Sequence, residues 1–265
     1  MEATMNKSYY DCIFKRKSFH LFRDNITKTP FKSIYKISTE EIASIYKYYD
    51  SLVSIYPNIN TKIRIVSSEE TNCNRGEEYC ILFYSEIKQN YLQNIGYLGE
   101  KLDLYLVNKN IGTLWFGIGK VNDNTYDNLT FITMMGISKT IPSYFRKDMY
   151  KAKRKPISQI YESTCHTYES IINIARFAPS SCNLQPWFIK EDDKNLYVYR
   201  YYDKCKRGIM PFDKVIYQNL IDIGILMCFL ETTLNHFNIS YKLTTFNDDT
   251  LNTNEYTLEY QLTWV

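Results

Sequence analysis

Alternating and helically spaced apolar residues divide the chain into strands and helices in mixed order. Between positions 256 and 264, Tyr256, Leu258, Tyr260, Leu262 and Trp264 alternate with Thr257, Glu259, Gln261 and Thr263. That period of two predicts a strand whose buried face carries the aromatics and leucines. Residues 62–66, 79–84, 129–135 and 196–201 are further predicted strands. Ser38 stands before EEIASIYKYYDSLVSIY, and Glu41 lies where a capping box requires it, so a helix is predicted from there. Residues 161–178 set Tyr168, Ile171, Ile172 and Ala175 on one stripe, which predicts a second helix. Asp213 is the expected N-cap of a long helix reaching about Phe237. That helix is apolar nearly all round between Ile221 and Leu230, so it belongs at the centre. Hairpin-like strand pairs interspersed with helices predict an α+β sandwich of sheet and helices.

The pattern repeats. NIGYLGEKLDLYLVNKNI, from Asn94, and DIGILMCFLETTLNHFNI, from Asp222, align at an offset of 128 residues. Ile95 meets Ile223, Gly96 meets Gly224, and three leucines of each stretch coincide. Asn110–Ile111 meets Asn238–Ile239. Buried helices share leucine spacing in general, but the matched Ile-Gly and Asn-Ile ends point to a duplication. Two such helices pack about a pseudo-twofold axis, with the matched glycines letting their backbones approach. The expected halves are 1–160 and 161–265, sharing one core.

Composition narrows the function. With 45% hydrophobic and 23% charged residues, the chain is globular in type. A net charge of +3 does not argue for nucleic acid. Seven scattered cysteines without a CxxC pair fit reduced thiols in a cytoplasmic setting. His20, His166 and His236 make no ligand spacing, so no metal is expected. The first residues lack the apolar core of a signal peptide. The longest apolar run, 223–230, is shorter than the roughly 20 residues of a membrane span. A soluble intracellular protein is expected.

Two stretches carry chemistry. Arg16-Lys17-Ser18-Phe19-His20 sets two cations and a hydroxyl before aromatic anchors. ARFAPSSCNLQPWFIK, residues 175–190, places Ser180, Ser181, Asn183 and Gln185 between Pro179 and Pro186 and ends on Trp187. Each also has a plain structural reading. The first could be a solvated helix start and the second a capped turn over a buried tryptophan. Gly112 could sit at a helix C-cap, and the basic run at 151–155 could be an exposed linker. Cys182 reads as a small packing residue.

Together the stretches resemble the nitroreductase-like FMN proteins, whose signatures run approximately Arg-Arg-Ser-x-Arg-x-Phe and Ala-Pro-Ser-x-x-Asn-x-Gln-Pro-Trp. The duplication resembles the branch in which one chain imitates the usual dimer. His20 departs from the usual second basic position. Gly112, Thr113, Leu114 and Trp115 look like the segment that runs along the flavin ring, and Arg154 and Lys155 like the basic segment that closes on the phosphate.

The resemblance implies a nitroreductase-like α+β fold and one FMN at the seam between halves. The cations, the ring-lining segment and the closing segment come from the first half; Pro179, Ser180, Ser181, Asn183 and Gln185 come from the second. Arginine and lysine suit a phosphate, and amides suit the donor and acceptor edge of the ring. The implied activity is ping-pong hydride transfer from NADH or NADPH, through flavin N5, to a nitroaromatic, a quinone or a similar small electron-poor acceptor. No catalytic side chain is nominated. One chain supplies both walls, so a monomer is expected. The alternatives are a plain structural repeat protein and a flavin carrier without turnover. In the carrier, Tyr144, Phe145, Tyr201 and Tyr202 would cap the ring.

Overall fold

A computed structural model describes residues 2–203, 205, 208–246 and 254–265. Helix α1 (Glu2–Lys15) opens the chain, followed by α2 (Thr39–Asp50), β1 (Thr61–Ser67), β2 (Tyr79–Ser85) and α3 (Tyr91–Asn108). Then come β3 (Ile111–Phe116), β4 (Thr125–Tyr126), β5 (Leu129–Lys139), β6 (Tyr161–Ser163) and α4 (Glu169–Ala175). The chain ends with β7 (Trp187–Glu191), β8 (Asn195–Tyr201), α5 (Phe212–His236), β9 (Tyr241–Thr245) and β10 (Tyr256–Trp264). All five strands read from the hydrophobic pattern are present, and the class is α+β.

Two sheets flank the long helices. In the first the order is β1-β2-β5-β3, with β4 paired to β5; in the second it is β6-β7-β8-β10-β9. Apart from the short β4 and the edge strand β6, both sheets share one plan: hairpin, long helix, two further strands, the last strand inserted beside the hairpin. All pairs are antiparallel except β6 with β7.

The core centres on α3 crossing α5, the helix pair most extensively in contact. A Cβ built on Gly96 would land on the Ile221 carbonyl oxygen, and one on Gly224 on that of Gln93, far inside van der Waals contact. Glycine is therefore required at both matched positions. The matched Asn110 and Asn238 both adopt left-handed backbone, with φ of 57° and 55°, where each helix turns into its next strand. Helix α5 is long and apolar enough to cross a membrane, but most of it is buried inside the protein, as suits a soluble core helix.

Local signals explain some boundaries and long-range contacts the rest. The Ser38–Glu41 capping box is present, a feature worth about 1 kcal/mol. Helix α2 nevertheless ends at Asp50, short of the predicted Tyr56, where the Ser51 hydroxyl donates to the Tyr48 carbonyl at 2.7 Å. The helix predicted over 161–178 shrinks to α4. Residues Tyr161–Ser163 pair with β7 instead, and Ser163 Oγ accepts the amides of Cys165 and His166, a turn that competes with helix. Helix α5 begins at Phe212 behind Pro211, which leaves Asp213 in its first turn rather than at the cap. On β10 the expected alternation fails at a bulge between Leu258 and Tyr260. Glu259, predicted to face outward, is 1% exposed and accepts from Arg200 Nε at 2.9 Å and Gln93 Nε2 at 3.0 Å, whereas Tyr256 is exposed.

The crossing yields a direct prediction. Alanine improves helix propensity by about 1 kcal/mol over glycine, but its methyl would drive two backbones apart. Gly96→Ala and Gly224→Ala are each expected to lower unfolding free energy by about 3 kcal/mol or more, read as a drop in urea midpoint. Alanine at Gly136, where an added Cβ would meet its nearest neighbours at an ordinary 3.5 Å, serves as the control.

Candidate functional site

The N-terminal motif lies along β3. Ser18 bridges Thr113 in parallel register, and the Phe19 amide donates to the Thr113 carbonyl at 2.9 Å. Gly112 is buried because the Phe19 ring covers it: an added Cβ would meet that ring at 2.9 Å. It is therefore a strand residue, and the left-handed residue after α3 is Asn110.

Two carboxylates of α3, not singled out in the sequence, organise this wall. Arg16 is 4% exposed; its Nε donates to Asp103 at 2.9 Å and lies 3.4 Å from Glu100. Thr113 Oγ1 donates to the other Asp103 oxygen at 2.7 Å, and Trp115 Nε1 donates to Glu100 at 2.9 Å. Arg16 also donates to Ser18 Oγ at 3.3 Å. Burial, and then the neighbouring Asp103, push the Glu100 carboxyl above its ordinary range. One buried arginine paired with two buried acids thus joins α1, α3 and β3.

The second wall is the link before β7. Cys182, Asn183 and Gln185 all have positive φ, 51°, 56° and 50°. Such backbone persists when its surroundings hold it. Here the Ser181 amide donates to both Asp222 oxygens, at 3.0 and 3.1 Å, and the Ser180 hydroxyl accepts from the Gln185 amide at 2.9 Å. Ser181 Oγ donates to Gln218 at 3.1 Å, and Gln218 Nε2 donates to the Gly117 carbonyl at 3.1 Å, which ties the link to the loop after β3. Trp187 is fully buried.

The basic segment closes on this link. Arg154 donates to Asn183 Oδ1 at 2.8 Å and to the Phe177 carbonyl at 3.0 Å. The Lys155 amide donates to Gln185 Oε1 at 2.7 Å, and Lys155 Nζ to the Gln185 carbonyl at 3.0 Å. The two amide side chains therefore hold the basic segment in this arrangement.

Between the walls lies a cavity of about 630 Å³. Ser18, His20, Leu114 and Trp115 border it on one side, and Pro179, Ser180 and Ser181 on the other. The two distant sequence motifs thus face a common space. Arg16, Lys17, Gly112, Thr113, Arg154, Lys155, Asn183 and Gln185 do not border it. Arg16 stands one hydrogen bond behind it, through Ser18, and Arg154 is bonded to Asn183 in the link. Cys182 borders the cavity and is exposed, which corrects its reading as a packing residue. Arg75, Gln218 and Asp222 border it and were missed. A signal for Asp222 was present: it occupies the repeat position of Asn94, which receives Ser54 Oγ at 2.6 Å much as Asp222 receives Ser181.

Behind Ser18 and the link, positive charge accumulates. Burial, with Arg16, Arg146 and Arg176 nearby, lowers Arg154 to about 10. Burial and Arg146 lower Lys17; burial and Arg16 lower Arg146. Only Arg16 is directly paired with the buried acids of α3, so a bound anion would relieve this mutual repulsion. Cation crowding beside a cavity with apolar walls is the donor set a phosphate-bearing planar cofactor requires.

Residues 8–234 match a family model described as "Putative TM nitroreductase". The chain belongs to that family. It is an oxidoreductase family by that description, and the nitroreductase-like fold is further supported by a solved structure. The crystal structure of a putative nitroreductase from Thermotoga maritima MSB8 is similar at 18% identity and a TM-score of 0.60, covering 97% of this chain and 93% of that one. A nitroreductase family protein from Clostridium novyi NT aligns at 17% identity and a TM-score of 0.38, over 51% of this chain and 86% of its own. A putative NADH oxidase from Clostridium acetobutylicum aligns at 12% identity and a TM-score of 0.41, over 57% and 97%. No curated protein matches the sequence.

Asp222 makes the site pH-sensitive. Burial raises its carboxyl to about 8, against the opposing bonds from Ser181. The folded chain then holds a proton that the unfolded chain releases near pH 4. The resulting stability is complete below that pH and is lost as pH rises towards 8. Relative to Asp222→Asn, the wild type should lose unfolding free energy as pH rises across that window. Urea titrations of both proteins between pH 4 and 8 measure the difference.

Proposed function

We propose that the chain is an FMN-dependent NAD(P)H oxidoreductase of nitroreductase type, with one FMN at the seam. The observation that carries this reading is the cavity that brings Ser18 and His20 opposite Ser180 and Ser181. Ser18, on the cavity wall, would meet the phosphate, with Lys17, Arg146 and Arg154 supplying positive charge from behind that wall. Leu114 and Trp115 would support the ring, Arg75 would offer positive charge to its polar edge, and His20 a hydrogen-bonding ring nitrogen. When bound, the flavin supplies two-electron chemistry, taking hydride from NADH or NADPH and passing it to a nitroaromatic, quinone or similar acceptor in a ping-pong cycle.

The chain's own residues orient and exclude water. The Asp222–Ser181–Gln218–Gly117 connection fixes the spacing of the walls, and the Phe116 and Tyr217 rings keep them apolar. The carrier reading needs an aromatic cap over the ring. Tyr144, Phe145, Tyr201 and Tyr202 do not border the cavity, and Phe145 instead packs edge-on against Phe19. That arrangement favours an open face and turnover.

The duplication into halves 1–160 and 161–265 belongs to the same proposal. It is supported by the common strand plan of the two sheets and by the glycine and asparagine positions matched at one offset. A cytoplasmic monomer acting on small molecules, away from membranes and nucleic acid, is the working form.

The purified protein should be yellow. NADH or NADPH should bleach it without oxygen, and a nitroaromatic or quinone should restore the colour. Lys17→Ala and Asn183→Ala, one from each half and neither in the core, should each weaken FMN binding about tenfold by fluorescence titration. A colourless protein with no affinity for FMN would refute the proposal, and bleaching without reoxidation by any acceptor would favour the carrier.

A further inference from the structure

The cavity's opening is lopsided in charge. Four of its exposed lining residues are basic: His20, Arg75, Lys120 and Lys214. Asp222 is the one acid among the described lining residues, and it lies buried at the floor with its carboxyl raised towards neutrality. None of the four basic residues forms a salt bridge with a described residue.

Two of the four lie outside the residues assigned to the cofactor, and their backbones are anchored. The Lys120 amide donates to Asn72 Oδ1 at 2.6 Å, and the Lys214 amide to the Pro211 carbonyl at 3.0 Å in the first turn of α5. Lys214 Nζ stands 5.5 Å from the centre of the Tyr217 ring, which itself borders the cavity. The opening therefore carries two lysines, one of them, Lys214, with its ammonium beside the flat face of Tyr217. A cleft with apolar walls and one sign of charge at its mouth concentrates ligands of the opposite sign.

We propose that the substrate entering this cavity is a planar aromatic that bears an anionic group, a carboxylate or phosphate, held at the rim by Lys120 and Lys214. The flat part enters between Phe116 and Tyr217 while the charge remains at the opening, where water still reaches it. The inference rests on the cavity being the redox site, and it names the substrate class of that site. A carboxylate would belong to the acceptor; a phosphate would belong to the nicotinamide donor.

The test uses the protein as purified and the double variant Lys120→Ala/Lys214→Ala, both at exposed positions, with folding checked by circular dichroism. Calorimetry measures binding of 4-nitrobenzoate and its neutral isostere 4-nitrobenzamide. Steady-state kinetics compare both as acceptors, and NADPH with NADH as donors. Wild type should prefer 4-nitrobenzoate about tenfold, in binding and in kcat/KM, and the variant should lose that preference while handling the amide unchanged. A preference for NADPH over NADH that the variant abolishes would instead assign the anion to the donor's extra phosphate, and also supports the proposal. Equal treatment of both pairs by wild type, or preferences that survive in the variant, would overturn it. The calorimetry decides the matter even for a protein that shows no turnover, so failure of the redox reading and failure of this inference are separable.

Discussion

Backbone contact between α3 and α5 at Gly96 and Gly224 is the constraint on which the rest of the structure depends. Each helix passes where the other has no side chain, so their relative position is set by main-chain atoms rather than by compressible packing. From α3 project Glu100 and Asp103, which hold Arg16 and β3. From α5 project Gln218 and Asp222, which hold the Ser180–Ser181 link. Moving one helix along the other by a turn would separate the two motifs by about 5 Å and open the cavity.

The polar groups near the crossing follow a common design with different outcomes. Asn94 and Asp222 occupy matched positions and each meets a serine, Ser54 or Ser181. Asn90 and Gln218, also matched at the same offset, each donate to a main-chain carbonyl of the chain beyond the partner helix, Phe246 and Gly117. On one side of the crossing this frame borders the cavity. On the other, the Arg200–Glu259 ion pair and Gln93 fill buried space with their own hydrogen bonds. A buried ion pair contributes little net stability, but removing one partner is costly, so that side is committed to a closed, protein-filled arrangement.

Local chemistry was readable in the chain; assembly was not. The Ser38 capping box and the alternating strands depend on neighbours within a few residues. The glycine crossing could be anticipated because the two helix sequences align with Gly96 opposite Gly224. The 161–178 segment was misjudged because β7 and the Ser163 turn decide its fate. Glu259 was misplaced because its cation, Arg200, lies on another strand and a bulge shifts the register. Ser18, Leu114, Trp115 and the Pro179–Ser181 stretch were legible through motif resemblance. Glu100 and Asp103 were not, since their partner Arg16 is far away in sequence. Arg75 and Gln218 became visible only when folding closed the wall around them.

The central claim is that one polypeptide builds one complete cofactor site across its own seam. Native mass spectrometry of the protein saturated with FMN tests it most directly. The account predicts a single chain carrying one FMN. Two FMN per chain, or a cofactor retained only in a species of two chains, would contradict it.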